Sequence, residues 1–250
     1  MSLRRMISLV IATVLLAGCS SPGPVEPGGS GPVPEGKVRI TFFGHAMFLC
    51  EDATQSVVVD PYGPDIGYIV PEISARVVLV SQKGSEHGNV KLVKGRPRVI
   101  DGIGEHYAGG FRVTGIPGTS ASGGKRQANA NTIYYWRMGG VSIAHMGNFG
   151  ERALTRQQLG LLAGVDVLMM PVGGGAAVTP EKAAELTKLI GPNIVIPMHY
   201  KTRDVVLELD RVEGFTSRFS KIRRTSDSVL VSAEDLPSRT EVWAMNYRRQ

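Results

Sequence analysis

Five short apolar runs, rich in valine and isoleucine, each break off at a polar residue, and this pattern restricts the fold more than any other feature of the chain. The breaks are Gly44-His45-Ala46, Asp60-Pro61, Ser81 through His87, His145-Met146-Gly147-Asn148 and Met198-His199-Tyr200. Runs this short and β-branched read as strands. Three consecutive valines, Val57-Val58-Val59, read as a strand buried on both faces. Four of the chain's five histidines fall at these breaks, where loops leaving a rigid scaffold carry chemistry.

The spacing predicts strands over residues 38–43 and 46–50, paired as a hairpin that is broken at Gly44-His45. Further strands are expected over residues 55–60, 76–80, 98–100 and 110–116. Residues 131–137 and 141–144 read as a second hairpin turning at Gly139-Gly140. Helices come later. Residues 155–163 are amphipathic and precede a strand over 165–170. Thr179-Pro180-Glu181 supplies an N-cap, a proline at the first helical position and an acid in the first turn, and Gly191-Pro192 ends that helix. A strand over 193–197 leads to His199. Residues 204–214 and a β-hairpin from residue 228 onward finish the chain.

Residues 1–18 read as a signal peptide: Arg4 and Arg5 precede an apolar stretch too short to span a bilayer, and Leu16-Ala17-Gly18-Cys19 has the form of a bacterial lipobox. Lipidation is expected at Cys19, with residues 19–36 a tether rich in Pro, Gly and Ser, and residues 37–250 one folded domain. Ser20 is not the aspartate associated with inner-membrane retention, so the expected location is the bacterial cell envelope, with the outer membrane favoured. Without residues 1–18 the formal charge falls from +6 to +4. So mild a charge, with no aromatic–basic alternation, excludes a nucleic-acid partner. The basic cluster Lys221, Arg223 and Arg224 reads as a solvated face, and His106 as part of a surface turn. Of the two cysteines, Cys19 is committed to lipid, so Cys50 has no intramolecular partner and is expected in the core.

Phe43-Gly44-His45-Ala46, Asp60-Pro61, Asn131-Thr132-Ile133-Tyr134, His145-Met146-Gly147-Asn148-Phe149-Gly150, Pro171-Val172-Gly173-Gly174 and Pro197-Met198-His199-Tyr200 stand in the order and spacing of one known pattern. From about residue 37 to 202 the chain resembles the metallo-β-lactamase superfamily, and looks most similar to its branch of L-ascorbate-6-phosphate lactonase-like proteins and small metal-dependent hydrolases. The resemblance implies an α/β fold, the four-layer αββα sandwich of that superfamily. It also implies two divalent metals, usually zinc, between the sheets.

In active relatives the loop after the third of these breaks reads Thr/Ser-His-x-His-x-Asp-His. Here it is Ser81-Gln82-Lys83-Gly84-Ser85-Glu86-His87. By position, one metal would take Gln82, Gly84 and His145, of which glycine has no side chain and a glutamine amide is a poor zinc ligand. The other would take Glu86, His87 and His199, which are all ligand types. His145 is the weaker candidate, because its partners are missing. The bridging aspartate is replaced by Asn148. Two dications about 3.5 Å apart repel by roughly 20 kcal/mol at an effective dielectric of about 20, and a neutral amide offsets none of it. Glu86, one methylene longer than aspartate, displaces its oxygen by about 1.5 Å unless the loop moves. His45 and Asp60 are expected behind the ligands, supporting them.

Thr119 and Ser120 stand where relatives often carry His-Asp, which removes a proton-transfer group. Lys125 and Arg126 in the same loop could hold an anion. No nucleophile elbow or Walker lysine offers a substitute mechanism. The resemblance therefore implies at most one zinc or other divalent metal, and leaves open that none is bound. Two functions stay open: a catalytically impaired homologue whose cleft binds a small ligand or an envelope partner, and a mononuclear hydrolase of an ester, lactone or phosphodiester.

Overall fold

The chain first lays down the antiparallel hairpin β1 (Lys37–Gly44) and β2 (Met47–Glu51), joined by a bulge at Gly44 that shifts the register between Phe42 and Gly44. The computed structural model describes residues 31–121 and 129–249. The signal peptide, Cys19, most of the tether and the Lys125–Arg126 loop lie outside the described residues. After β2 come β3 (Ser56–Val59), β4 (Ile73–Ser74), β5 (Val77–Leu79), β6 (Val93–Lys94), β7 (Arg98–Ile100), β8 (Gly104–Ala108) and β9 (Phe111–Thr119). Then follow β10 (Ala130–Met138), β11 (Val141–His145), α1 (Arg156–Leu162), β12 (Val167–Pro171), α2 (Pro180–Ile190) and β13 (Ile194–Met198). The last elements are α3 (Glu213–Thr216), β14 (Ile222–Thr225), β15 (Ser228–Ser232) and β16 (Glu241–Met245).

Two sheets face each other, one in the order β15-β1-β2-β3-β5-β7 and the other β14-β16-β13-β12-β11-β10-β9-β8, with β4 and β6 paired apart. Strand alternation assigns the side chains. Phe48, Cys50, Val57, Val59, Val77 and Leu79 join a core with Val113, Ile143 and Trp136 of the second sheet. Their neighbours Met47, Leu49, Val58, Val78 and Val80 point the other way, into a second cluster with Tyr62, Ile66, Tyr68, Ile73 and Val205. This is why the valine runs lack polar alternation: both faces are covered. Across the core, the Tyr134 hydroxyl reaches the carbonyl oxygens of Val80 (2.9 Å) and Ile100 (3.0 Å), pinning the exits of β5 and β7 to the second sheet.

The two longer helices start where side chains satisfy their free amides. Thr155 Oγ1 accepts from Gln158 N at 3.1 Å while Gln158 Oε1 accepts from Thr155 N at 2.8 Å. Thr179 Oγ1 caps α2 by accepting from Lys182 N at 3.4 Å, and Gly191 at φ 68° closes it in the left-handed conformation that glycine adopts without strain. α2 packs on β12 and α3 on α2. Among the described residues no helix is long and apolar enough to cross a membrane.

Most expected elements form within a residue or two of their expected bounds, and Cys50 is buried and free in the core as expected. The terminal hairpin does not form. β15 pairs antiparallel with β1 in one sheet, while β16 lies in the other, parallel to β13 and β14. Each strand satisfies its backbone against an existing edge, so the link between them crosses the sandwich. His106 sits within strand β8, not on a turn, and its Nε2 bonds back to the carbonyl oxygens of Gly102 (3.0 Å) and Ile103 (3.1 Å). In the basic cluster, Arg223 lies over the Trp243 ring at 4.9 Å and Lys221 faces Glu241 at 3.8 Å, both exposed to solvent.

Candidate metal centre

The strand ends converge on one buried group. His45 follows β1, Asp60 follows β3, His87 closes the loop after β5, and His199 follows β13. Three of these four, His45 (φ 51°), Asp60 (φ 48°) and His199 (φ 53°), are the described non-glycine residues with positive φ. Such backbone costs of order 1–3 kcal/mol per residue and persists where the surrounding structure over-determines it. The surrounding contacts here are specific. His199 N donates to His45 O at 2.6 Å, and His45 N to the Tyr68 hydroxyl at 3.3 Å. The Tyr68 ring lies so close to Gly44 that a Cβ there would meet it at 2.6 Å. Gly173, in the turn after β12, passes so near that a Cβ would sit 2.1 Å from His199 O.

One donor atom each from His45, Glu86, His87 and His199 lies within 4.8 Å of the other three. The three rings face one another, with centroids 4.3 Å apart for His45 and His199, 5.0 Å for His45 and His87, and 5.8 Å for His87 and His199. Glu86 is half-buried at the rim. Asp60 lies behind His87: its Oδ2 accepts from His87 Nδ1 at 2.9 Å and from Ser81 Oγ at 2.6 Å, and its Oδ1 accepts from Ser81 N at 2.7 Å. An ionised carboxylate only accepts, so His87 Nδ1 is the donor to Asp60, and His87 Nε2 is left without a partner. Burial opposes ionisation of Asp60, but His87, and with it Ser81, hold its carboxyl below the usual range.

The fit to a metal can be tested on the unused donors. Among the described residues seven buried side-chain nitrogen or oxygen atoms lack a hydrogen-bond partner, and five are ring nitrogens of His45, His87 and His199. Burying a polar group unpaired costs roughly 1–3 kcal/mol, so this concentration points to a ligand that the residues are built to hold. Burial, and then the neighbouring His199 and His87, hold His45 well below the ordinary imidazole range. Burial, and then His87, bring His199 down to about 3. Both rings are thus neutral near pH 7 with lone pairs open to a cation, which is the state that metal binding requires. The residues fit a divalent metal.

His145 is placed differently. Its Nε2 donates to Ala46 O at 2.9 Å and its Nδ1 accepts from Gly147 N at 3.1 Å, which uses both nitrogens. The two amides that stand where the resemblance expects ligands bond to each other: Asn148 Nδ2 donates to Gln82 Oε1 at 2.9 Å, and Asn131 Oδ1 accepts from Asn148 N at 2.8 Å. Gly84 has φ +134°, with open space where a Cβ would stand. Ser120 is buried, its hydroxyl 3.5 Å from Gln82 Nε2, and Thr119 bonds to Glu151. The structure therefore brings Glu86, His87 and His199 together, leaves His145, Gln82, Gly84 and Asn148 outside the group, and places Asp60 behind His87. His45, expected behind the ligands, stands among them. Sequence reasoning also missed Tyr68, which steadies His45; nothing in the sequence around an isolated tyrosine signals that contact.

Residues 39–199 match the family model described as beta-lactamase superfamily domain. A metal-dependent hydrolase of Thermococcus kodakarensis is 27% identical over 195 residues, which take in 66% of this chain and 85% of the relative. One from Pelotomaculum thermopropionicum is 26% identical over 231 residues, 77% of this chain and 99% of the relative. Among solved structures, one described as a Zn-dependent hydrolase of the metallo-β-lactamase superfamily from Thermotoga maritima superposes with a TM-score of 0.70. It is 30% identical, over 84% of this chain and all of the other. A metal-dependent hydrolase from Parabacteroides distasonis has a TM-score of 0.60 at 16% identity, covering 88% and 99%, which supports the fold alone. With the αββα sheets, the strand-end histidines and these matches together, the chain belongs to the metallo-β-lactamase superfamily.

Proposed function

We propose that this chain is a membrane-tethered, mononuclear metal-dependent hydrolase of an ester, lactone or phosphodiester, with Glu86, His87 and His199 as its retained metal ligands. The observation that carries this reading is the set of buried, unpartnered ring nitrogens facing a half-buried carboxylate. Relatives named as metal-dependent hydrolases support the reaction class. A divalent cation held there supplies Lewis acidity toward a carbonyl or phosphoryl oxygen. The chain's own residues do the rest. Asp60 fixes the His87 tautomer so that Nε2 faces the centre, and Ser81 fixes Asp60 through two hydrogen bonds. Burial keeps His199 neutral, so that its ring can offer a lone pair. A lactone is the first substrate class to test, given the resemblance to lactonase-like proteins.

A second reading, an impaired homologue that binds a small ligand or an envelope partner, is favoured by the neutral Gln82–Asn148 pair and by the absence of a proton-transfer group at Thr119 and Ser120. In both readings Cys19 carries the lipid anchor, residues 1–18 are removed, residues 19–36 are the tether, and the protein sits in the envelope, on the outer membrane rather than the inner. One experiment separates the readings. The full-length protein, loaded with one equivalent of zinc, is assayed against aryl esters, lactones and bis-aryl phosphodiesters beside His87→Ala. Turnover that His87→Ala abolishes supports the hydrolase; no turnover by loaded native protein supports the binding homologue. In the same preparations Cys19→Ala should move the protein out of the membrane fraction, and an unchanged distribution would refute the anchor.

A further inference from the structure

We infer that His45 is itself a metal ligand, so that a single divalent cation is held by three histidines and one carboxylate, the added ligand coming from a different strand end. This rests on the single-centre reading above, and it adds a ligand that the loop motif does not contain.

His145 shows what a purely structural histidine looks like in this fold: buried, with both nitrogens bonded to backbone. His45 is equally buried, yet neither of its ring nitrogens has a partner. A packing role would leave two unpaired polar atoms in the interior, which native proteins avoid. The backbone is also built to aim this ring. The bulge at Gly44 interrupts the β1–β2 ladder, and bulges of this kind re-aim a side chain at a strand end. His45 then adopts φ 51°, held by His199 N on its carbonyl and by the Tyr68 hydroxyl on its amide. The result sets its ring between those of His199 and His87, at 4.3 and 5.0 Å.

The other half of the family's centre offers no charged ligand, although Asn148 Oδ1 is an unpartnered amide oxygen. Gln82 and Asn148 are bonded to each other at 2.9 Å and carry no charge. Gly84 contributes no side chain. Three imidazoles and a carboxylate suit zinc or another late first-row divalent metal and do not suit the hard cations calcium and magnesium, which take oxygen ligands.

The test is a Co²⁺ titration of the metal-free full-length protein, read by visible absorption and by thermal melting. Native protein, His45→Gly, His45→Cys, His87→Ala and His145→Ala are compared. Glycine accepts φ 51° without strain, so a native-like metal-free melt certifies the fold of His45→Gly. Cysteine offers a thiolate ligand that gives a sulfur-to-cobalt charge-transfer band only when the side chain at position 45 touches the metal. The inference expects native protein to bind one equivalent, and His45→Gly to lose more than about 100-fold in affinity. That exceeds the roughly 10–100-fold loss that follows from removing a supporting hydrogen-bond partner. His45→Cys should show the band, and His145→Ala should bind as native does. If native protein binds one equivalent that His87→Ala abolishes, while His45→Gly binds equally well and His45→Cys shows no band, His45 is not a ligand and the three-residue centre stands alone. If native protein binds no cobalt, both this inference and the single-centre reading fall.

Discussion

The contrast between His145 and His199 sets the residue-scale prediction. Both are buried at the end of a strand, but His145 has two backbone partners and His199 has none on its ring. His145→Ala should therefore destabilise the protein by about 1–3 kcal/mol, because Ala46 O and Gly147 N lose their partners, while zinc affinity stays near native. His199→Asn, chosen because asparagine tolerates φ 53°, should keep the fold and lose zinc binding. Calorimetric titration with denaturant melts checks both, and the opposite ranking would mean that the histidines have been paired with the wrong half of the site. Which side chains gather in the buried group was partly legible. Glu86, His87 and His199 could be read from order and residue type. His45 could not, because a Gly-His-Ala triplet carries no information on a bulge or on a left-handed turn, and those two features decide where its ring points.

At the scale of elements, the loop from Ser81 to His87 departs from the pattern that the resemblance implies. Gly84 occupies φ +134°, a region that side-chain-bearing residues rarely enter, although the space around it is open. Gln82→His, Glu86→Asp and Asn148→Asp together exchange the Gln82–Asn148 bond for a histidine and a carboxylate, and this triple variant is the reference for position 84. Adding Gly84→His to rebuild the family's full ligand set should lower stability by about 1–3 kcal/mol, seen as a lower midpoint in metal-free thermal melts. Equal midpoints for the triple and quadruple variants would show that the backbone, not the missing side chain, has been misjudged. Helices and hairpins were legible because their signals are local: Thr155, Thr179, Gly191 and Gly139-Gly140 act within a few residues. β15 and β16 were not, because their partners β1 and β13 lie far away in sequence and no local pattern chooses between a hairpin and two separate edges.

For the whole molecule, the buried neutral histidines couple stability to pH. Burial holds His45 well below the ordinary value of 6.5 and takes His199 to about 3. Below 6.5 the unfolded chain therefore binds more protons than the folded one, and stability falls as the pH falls through that window. Asp60, held below its ordinary 3.8 despite burial, extends the loss in the same direction at lower pH. The metal-free protein should melt at progressively lower temperature between pH 7 and pH 4, and a midpoint that is flat or rises on acidification would contradict the buried neutral rings. The sandwich was legible through the resemblance that implies it; the apolar runs by themselves show only strands covered on both faces with polar residues at their ends.

The central claim is that one cation, and only one, belongs to this fold. Elemental analysis tests it most directly, on full-length protein offered excess zinc and then dialysed at neutral pH. One tightly held zinc per chain is the predicted result. Two per chain would mean that the Gln82–Asn148 side still binds metal, none would mean that the converging histidines serve another purpose, and either result would contradict the account.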